Sequence, residues 1–494
     1  MKKILGLFLG ILMVFVVVAD ALAEISVGGT IDVRGRWREN NNDLNKDGAP
    51  DGTANGSTAY WEQKVNLWVD AKIAEGLKGY VELQSAGADG FQTWGASRTN
   101  TDTAPNSLLN ENRGLSLLEI RYAYIDFMIP KIPVGIKIGH FPVVLGHSIW
   151  ADTSYWGSDG LLIYSAPIKE LMIALGTLKG YETASNTNRT DADLYVLMAN
   201  YTFMPKNTVG ANASYLLRAG ARGQGKALAN EYWSDLAAGG AANDTPNSGA
   251  FDKINNVRVW NIMLTADGAF DFGLGYKFEI DKQFGRFSEK GYEETYDNGT
   301  HSTNFRAGGL AFLLGVNYGI AEIAEVRFNA AYGSGDKCGE WSASTAGGTV
   351  NGDACKNSGN RFEGYLSFNN YGYTMIYEDI VGQKTGISTM GSGDFGLYNT
   401  MYINVGAGVT PLKDMSVGLD IYYLRAMKEF YYGQKKNIGW EVDLNFGYQI
   451  YKNLKWTLLA GYFLPGNHYK AVNSTDTVKD DAAWAFEQVL SLSF

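Results

Sequence analysis

The chain has 494 residues, of which 60 are glycine, 30 tyrosine, 23 phenylalanine and 12 tryptophan, and its formal net charge is -10. A hydrophobic content of 45% excludes a disordered chain, and the net negative charge argues against a nucleic-acid partner, which would favour a basic face. Beyond the N-terminal segment, no apolar run approaches the roughly 18 residues that a membrane-spanning helix needs. Period-two alternation recurs instead, which leaves a large sandwich, a propeller or a membrane barrel as candidate folds.

The N-terminus has the features of a secretory signal peptide. Lys2 and Lys3 precede an apolar run over residues 4–18, and a pattern of small residues suited to cleavage ends at Ala23. A segment of this kind is removed during export and is not a transmembrane helix. The sequence therefore predicts a signal peptide over residues 1–23 and a single barrel domain over residues 24–494, with no separate plug domain before the first strand.

Alternating apolar and polar residues mark the predicted strands in chain order. Over residues 25–37 the odd positions are apolar or glycine, while the even positions carry Thr30, Asp32, Arg34 and Arg36. The pattern returns in four further segments, at residues 61–73, 270–280, 324–332 and 438–450. One face of such a strand suits lipid and the other suits water. A soluble sandwich also alternates, so alternation alone does not decide between the two.

Connection lengths favour the barrel. Very short turns are predicted at residues 74–76, 128–133, 166–169, 204–207, 266–268, 319–321, 411–414 and 451–453. Long polar stretches lie between them, among them residues 38–59, 86–115, 219–253, 284–304 and 333–396. This alternation is expected of an outer-membrane barrel with periplasmic turns and external loops. The predicted fold is an all-β, single transmembrane antiparallel barrel of about 18 strands, with about 16 as the alternative because residues 161–173 are weakly patterned.

The last strand gives a second indication of the outer membrane. A strand that ends on an aromatic C-terminus presents five apolar residues on one face, namely Trp484, Phe486, Leu490, Leu492 and Phe494. Outer-membrane proteins are recognised for assembly by a terminal strand of this type, so the assembly machinery is an expected partner. The predicted location is the outer membrane of a Gram-negative bacterium, where outer-membrane lipid and lipopolysaccharide are further partners. Aromatic residues near strand ends are expected to form girdles at headgroup level, for example Trp37, Trp61, Tyr276 and Tyr451.

Strand number determines what such a barrel encloses. About eight strands leave an interior filled by side chains, whereas about 16 to 18 leave an aqueous channel. The expected function is that of a porin for the passive diffusion of hydrophilic solutes, with anionic solutes as one candidate class. No G-x-S-x-G or H-E-x-x-H motif occurs, so the chain is predicted not to be an enzyme and to require no cofactor. An alternative is a barrel that sheathes a partner cytochrome in an electron conduit.

The polar faces of the strands supply the predicted pore lining. Basic and acidic candidates are nearly balanced, as expected where charges pair across neighbouring strands. A basic constriction for anions is the alternative, and its candidates are Arg34, Arg36, Arg121 and Arg327. The predicted pore-lining residues are Arg34, Arg36, Lys64, Lys72, Arg121, Lys137, Lys277, Glu325, Arg327, Glu441 and Asp443.

The first long loop contains a candidate calcium site. Oxygen-bearing side chains recur at alternate positions around Gly48, which supplies a sharp turn, and they belong to Asp43, Asn45, Asp47 and Asp51. Carboxylate and amide oxygens in this pattern are the ligands that calcium prefers. The glutamate that completes an EF-hand is missing because Ala54 occupies its position. An acidic, turn-rich surface loop is the alternative interpretation.

The only two cysteines, Cys338 and Cys355, lie in the same long connection. Export through an oxidising periplasm favours a disulfide between them. This bridge would cross-link the longest loop of the barrel. Metal ligation by two isolated thiols is the weaker alternative.

The C-terminal part of the chain resembles a known family. Residues 439–444 read Gly-Trp-Glu-Val-Asp-Leu, residues 461–466 read Gly-Tyr-Phe-Leu-Pro-Gly, and Tyr469 and the terminal Phe494 follow. This pattern is similar to that of the alginate-export family of outer-membrane barrels. The resemblance implies an eighteen-stranded barrel whose basic, partly loop-gated lumen passes an anionic polysaccharide. An alginate-like polysaccharide export channel is therefore a further alternative.

Overall fold

The structure of the chain is a computed structural model. The residues that it describes are 24–40, 44, 58–85, 90–94, 118–181, 192–218, 254–289, 304–321, 323–335, 361–367, 372–377, 396–428, 435–469 and 480–494. The predicted signal peptide, the candidate calcium ligands Asp43, Asn45, Asp47 and Asp51, and both cysteines lie outside the described residues. The calcium site and the disulfide therefore stay predictions.

Eighteen antiparallel strands form one closed barrel, which confirms the predicted fold class and strand number. Each strand pairs with its neighbours in the sequence, and the first pairs with the last. The strands are β1 Glu24–Glu39, β2 Thr58–Ala74, β3 Leu77–Ser85, β4 Leu118–Met128, β5 Val134–Phe141, β6 Ser158–Ile168, β7 Leu171–Tyr181, β8 Ala192–Met204, β9 Asn207–Arg218, β10 Ile254–Ala269, β11 Leu274–Glu289, β12 Leu310–Ile320, β13 Ala324–Gly333, β14 Thr400–Leu412, β15 Met415–Ala426, β16 Asn437–Tyr451, β17 Leu454–Pro465 and β18 Ala483–Ser493.

Short strands extend the barrel at one rim or lie inside it. Three of them pair with the barrel sheet, and they are Gln92–Thr93, Asn304–Ala307 and Arg361–Phe362. Two others pair only with each other, and they are Val144–Leu145 and Ala151–Asp152. Residues Asn467–Tyr469 form a 3-10 turn, and among the described residues no helix is long and apolar enough to cross a membrane.

The seam between β1 and β18 closes the sheet. The register runs from Thr30 opposite Ser493 to Glu39 opposite Trp484. The C-terminal residue continues the ladder, because the N–H of Gly29 donates to the carbonyl of Phe494 at 2.9 Å and the N–H of Phe494 donates back at 3.1 Å. In hydrocarbon each unpaired backbone group costs several kcal/mol, so a closed seam is the condition for a sheet to span a bilayer.

Short and long connections alternate along the chain, as the sequence predicts. The short turns lie at the same end of the barrel as Glu24 and Phe494, and they fall at residues 75–76, 129–133, 169–170, 205–206, 270–273, 413–414 and 452–453 and at residues 321 and 323. One predicted turn is wrong: residues 266–268 belong to β10, and the chain reverses at residues 270–273 instead. Phe270 and Phe272 continue the apolar alternation of a strand in the sequence, but both residues lie in this turn. Gly273 in the same turn adopts a φ of +96°, a conformation that favours glycine.

The outer face of the barrel is apolar. Along the strands the most exposed large side chains on this face are aliphatic, such as Val27, Leu264 and Val405, and aromatic residues lie nearer the strand ends. At the short-turn end these include Phe203, Phe272, Tyr451 and Phe494, and at the long-connection end Trp61, Trp260, Trp440 and Trp484. Two girdles flanking an aliphatic band are the pattern of a barrel immersed in a bilayer.

Candidate functional site

The lumen of the barrel is the candidate functional site. Its wall is built from the inward-facing positions of the strands, which alternate with the apolar outward positions. Two segments from the long connections fold against this wall from within. The first inner segment comprises residues 142–157, between β5 and β6, and the second inner segment comprises residues 364–367 and 372–377, between β13 and β14.

The first inner segment extends across the lumen from β4 to β11. At one end, the guanidinium of Arg121 on β4 donates to the carbonyls of Ser154 at 2.9 Å and Tyr155 at 3.0 Å. In the middle, the indole N–H of Trp150 donates to the hydroxyl of Ser214 on β9 at 2.7 Å. At the other end, the backbone N–H of His147 donates to the carboxylate of Glu279 on β11. These bonds fix the segment to three regions of the wall.

The second inner segment is held at two places. Gln283 on β11 pairs with the backbone of Leu366, donating to its carbonyl at 2.6 Å and accepting from its N–H at 2.9 Å. On β16, the carboxylate of Glu441 accepts the N–H of Ile376 at 2.5 Å and that of Tyr377 at 2.8 Å. Both glutamate oxygens are thus used to satisfy consecutive backbone donors that would otherwise be buried without partners.

The two inner segments pack on each other. The hydroxyl of Ser367 donates to the carbonyl of Ile149 at 2.9 Å. The rings of Trp150 and Tyr365 meet edge to face with centroids 6.4 Å apart, and neither ring has any solvent exposure. Aromatic pairs of this geometry contribute beyond the area that they bury. The segments therefore narrow the lumen as one packed unit rather than as separate loops.

Two acidic pairs on the barrel wall anchor these segments. Glu279 and Asp281 are two residues apart on β11, and Glu441 and Asp443 are two residues apart on β16, so each pair points inward. Glu279, Asp281 and Glu441 have no solvent exposure. Asp443 accepts the N–H of Met375 at 3.2 Å. Glu441 and Asp443, which the sequence predicts to line the pore, do face inward but lie beneath the second inner segment.

Burial shifts the pKa values of two titratable side chains of the inner segments, His147 and Tyr365. It lowers the pKa of His147 below its ordinary value, because the imidazolium would lose its hydration. It raises the pKa of Tyr365 well above its ordinary value for the same reason. Both shifts favour the neutral form of the side chain.

An arginine wall lies along β1, three strands from β16 around the closed sheet. The guanidinium of Arg34 binds Glu62 at 2.6 Å, that of Arg36 binds Glu487 at 2.5 Å, and that of Arg38 also binds Glu487, at 3.0 Å. Three guanidiniums thus share two carboxylates. Each of these five side chains exposes only about a tenth of its surface to solvent, so the cluster packs closely on the barrel wall.

Phe91 lies on top of this arginine wall. Its ring centroid is 3.7 Å from the guanidinium carbon of Arg34 and 4.6 Å from the ammonium of Lys64. Cations placed over an aromatic face are attracted by its quadrupole. Phe91 follows β3 in the connection to β4, so a third connection contributes a side chain to the lumen.

The remaining predicted residues occupy other parts of the wall. Arg121 binds Glu82 at 2.8 Å and Lys137 lies 3.6 Å from Asp126. Arg327 on β13 binds Asp420 at 2.8 Å and also contacts Glu325, so it lies apart from the arginines of β1. Lys72 pairs with Glu24 at the short-turn rim at 2.9 Å. Lys277 is on the inward face of β11, two residues before Glu279.

Sequence reasoning missed the anchoring role of the acidic pairs. The one signal was the repeated spacing, Glu-Ile-Asp at residues 279–281 and Glu-Val-Asp at residues 441–443. Two carboxylates on one inward face, with no arginine or lysine between them, are an unusual pattern for a water-filled wall. Their partners are backbone N–H groups of distant segments, which carry no side-chain signature.

Comparisons with known proteins bear on the fold. No family model and no curated protein matches the chain. Its structure is similar to that of Pseudomonas aeruginosa OccK2 (OpdF), with 10% identity and a TM-score of 0.50 over 95% of this chain and 98% of that one. Pseudomonas aeruginosa OccK11 (OpdR) has 10% identity and a TM-score of 0.49 over 95% and 96%. The likeness to OccK2 shows the barrel fold, and the resemblance to the alginate-export family is not shown.

Proposed function

We propose that the protein is a porin of the outer membrane of a Gram-negative bacterium, through which small hydrophilic solutes, preferably anions, diffuse down their gradients. The observation that carries this proposal is the closed barrel of eighteen strands, apolar outside and charged inside. A barrel of about this strand number encloses an aqueous channel. No catalytic step is part of the proposal.

The two inner segments support a limit on solute size. They are fixed to β4, β9, β11 and β16 and pack on each other inside the lumen. A solute must pass beside this unit rather than through the full width of the barrel. This favours small solutes over a partner cytochrome, which would need the interior to be clear. The polysaccharide alternative depends on the C-terminal resemblance alone.

The preference for anions rests on the arginine wall. Arg34, Arg36 and Arg38 place three guanidiniums side by side on the inward face of β1, where they contact the carboxylates of Glu62 and Glu487. Charges lining a constriction determine which ions enter a pore. Elsewhere on the wall Arg121 pairs with Glu82 and Lys137 with Asp126, and Arg327 contacts both Glu325 and Asp420.

Single-channel recording in planar bilayers tests the proposal. The refolded chain should conduct ions in discrete steps, and its reversal potential in a potassium chloride gradient should have the sign of an anion-selective pore. Glucose or a monovalent organic anion should permeate, whereas a long anionic oligosaccharide should at most block the current. Absence of conductance from folded protein would refute the channel. Translocation of the oligosaccharide would favour the polysaccharide alternative instead.

A further inference from the structure

Four arginines lie in one row across neighbouring strands at the long-connection end of the barrel. Arg258 on β10 is directly opposite Arg286 on β11, which is opposite Arg306 in the short strand Asn304–Ala307. Arg306 is in turn beside Arg361 of the short strand Arg361–Phe362. With strands about 4.8 Å apart, the row extends roughly 15 Å along the rim.

The row is on the outer face. The residues that flank these arginines point inward, since Val257, Val259 and Ala307 are buried. Phe362, next to Arg361, packs its ring against the inward-facing Phe287 with centroids 5.6 Å apart. Because successive residues of a strand point to opposite faces, the arginines point outward, and all four are exposed.

The charge of the row is not neutralised by the residues that the structure describes. Like charges directly opposite each other on neighbouring strands are destabilising. Within the described part of the chain, Arg258, Arg286 and Arg306 form no ion pair, and Arg361 has Glu363 at 3.7 Å. One carboxylate thus faces four guanidiniums, and an external anion would remove the repulsion.

The depth of the row matches that of lipid headgroups. Immediately below it on the same face, Trp260 and Phe284 stack with centroids 6.4 Å apart and belong to the aromatic girdle of this end. Lys282, further down β11, turns its ammonium toward this end and donates to the carbonyl of Gly308 at 2.5 Å. A lysine that extends its charged head toward the interface is typical of a membrane surface.

We propose that this row binds the phosphate groups of a lipid headgroup in the outer leaflet, of the phosphorylated diglucosamine type found in lipopolysaccharide. Guanidinium groups bind phosphate through two parallel hydrogen bonds, so two phosphates on one headgroup suit a row of four arginines. The aromatic girdle below the row would contact the acyl chains of the same lipid. This inference rests on the proposed function for the location of the barrel in an outer membrane.

The experiment titrates detergent-purified full-length protein with bisphosphorylated lipid A and with the same lipid after removal of both phosphates, and counts bound lipid by native mass spectrometry. The phosphorylated lipid should bind and the dephosphorylated lipid should not. Arg286→Gln, at the centre of the row, should weaken binding by about tenfold, because it removes charge-assisted hydrogen bonds. The matched control is Arg425→Gln, an exposed outward arginine at the same end that has no arginine opposite it.

Three outcomes would overturn the inference. They are equal binding of the two lipids, an equal loss in the Arg425→Gln variant, and full displacement of the lipid by millimolar inorganic phosphate, which would indicate a site for free anions only. Heat-modifiable migration on gels confirms that each variant is folded. The Arg286→Gln channel should keep wild-type conductance because the residue faces away from the lumen. Normal conductance without lipid selectivity would therefore refute this inference and leave the proposed channel intact.

Discussion

Glu441 accepts the backbone N–H of Tyr377 at 2.8 Å and thereby ties the second inner segment to the barrel wall. The same carboxylate also accepts the N–H of Ile376. Replacement by alanine leaves two buried donors without partners, at a cost of about 1–3 kcal/mol each. We expect Glu441→Ala to release the segment part of the time and to raise the single-channel conductance and its noise.

The control for this variant is Glu325→Ala. Glu325 is also an inward-facing glutamate, but its described partner is Arg327 on the wall rather than an inner segment. Its replacement should alter conductance little. Equal changes in the two variants would mean that lost charge, and not a released segment, explains the effect of Glu441.

Gly146 gives the first inner segment its path beside Glu279. Its φ is +58°, which side chains rarely adopt, and an added Cβ would collide with the carboxylate of Glu279 and the sulfur of Met263. We expect Gly146→Ala to displace the segment and to change conductance. Gly79→Ala on β3 is the matched control, because an added Cβ there meets nothing within 4 Å. If the two variants conduct alike, Gly146 does not determine the position of the segment.

The barrel could be predicted from the sequence because the alternation of apolar and polar residues that marks its strands is visible within each strand alone. Alternation over residues 25–37 identifies β1, and the number of short turns indicates the number of strands. The turn after β10 was mispredicted because Phe270 and Phe272 continue the alternation beyond the strand. The strand end was therefore determined by Gly273 and not by hydrophobicity.

The lumen was only partly predictable. The sequence identified the inward charges of β1 and β16, since these follow from the period of two. It could not show that Glu441 holds Ile376 and Tyr377, because this contact joins residues 64 and 65 positions apart through backbone atoms. The arginine row was hidden for a similar reason: it depends on the register between strands and not on spacing within any one of them.

Charged residues at the seam between β1 and β18 are expected to influence ion selectivity, in opposite directions for acidic and basic residues. Glu487 on β18 binds both Arg36 and Arg38 on β1. Glu487→Gln removes a negative charge from the arginine wall and should increase the preference for anions, whereas Arg36→Gln should decrease it. One unit charge at about 4 Å in water is worth about 1 kcal/mol, which limits the change in permeability ratio to roughly fivefold. Reversal potentials at low salt measure the ratio, since screening weakens the effect. If the reversal potentials of the two variants shifted in the same direction, the arginine wall would not determine the preference for anions.

His468 makes the end of β17 sensitive to acid. It lies in the 3-10 turn, is 4% exposed, and its Nδ1 is 2.9 Å from the carbonyl of Lys435. Burial lowers the pKa of His468 to about 4, whereas an opened turn would have an ordinary histidine pKa of about 6.5. Above pH about 6.5 neither state is protonated, and as the pH falls toward 4 only the opened state gains a proton.

Opening of this turn should therefore become easier between pH about 6.5 and 4, by up to about 3 kcal/mol. Hydrogen exchange at the backbone amide of Tyr469, corrected for the intrinsic pH dependence of exchange, measures the change. His468→Gln has no titrating group at this position, so the amide of Tyr469 should be equally protected at pH about 6.5 and at pH about 4 in this variant. Protection of Tyr469 that falls equally in the wild type and in His468→Gln would assign the acid response to another group.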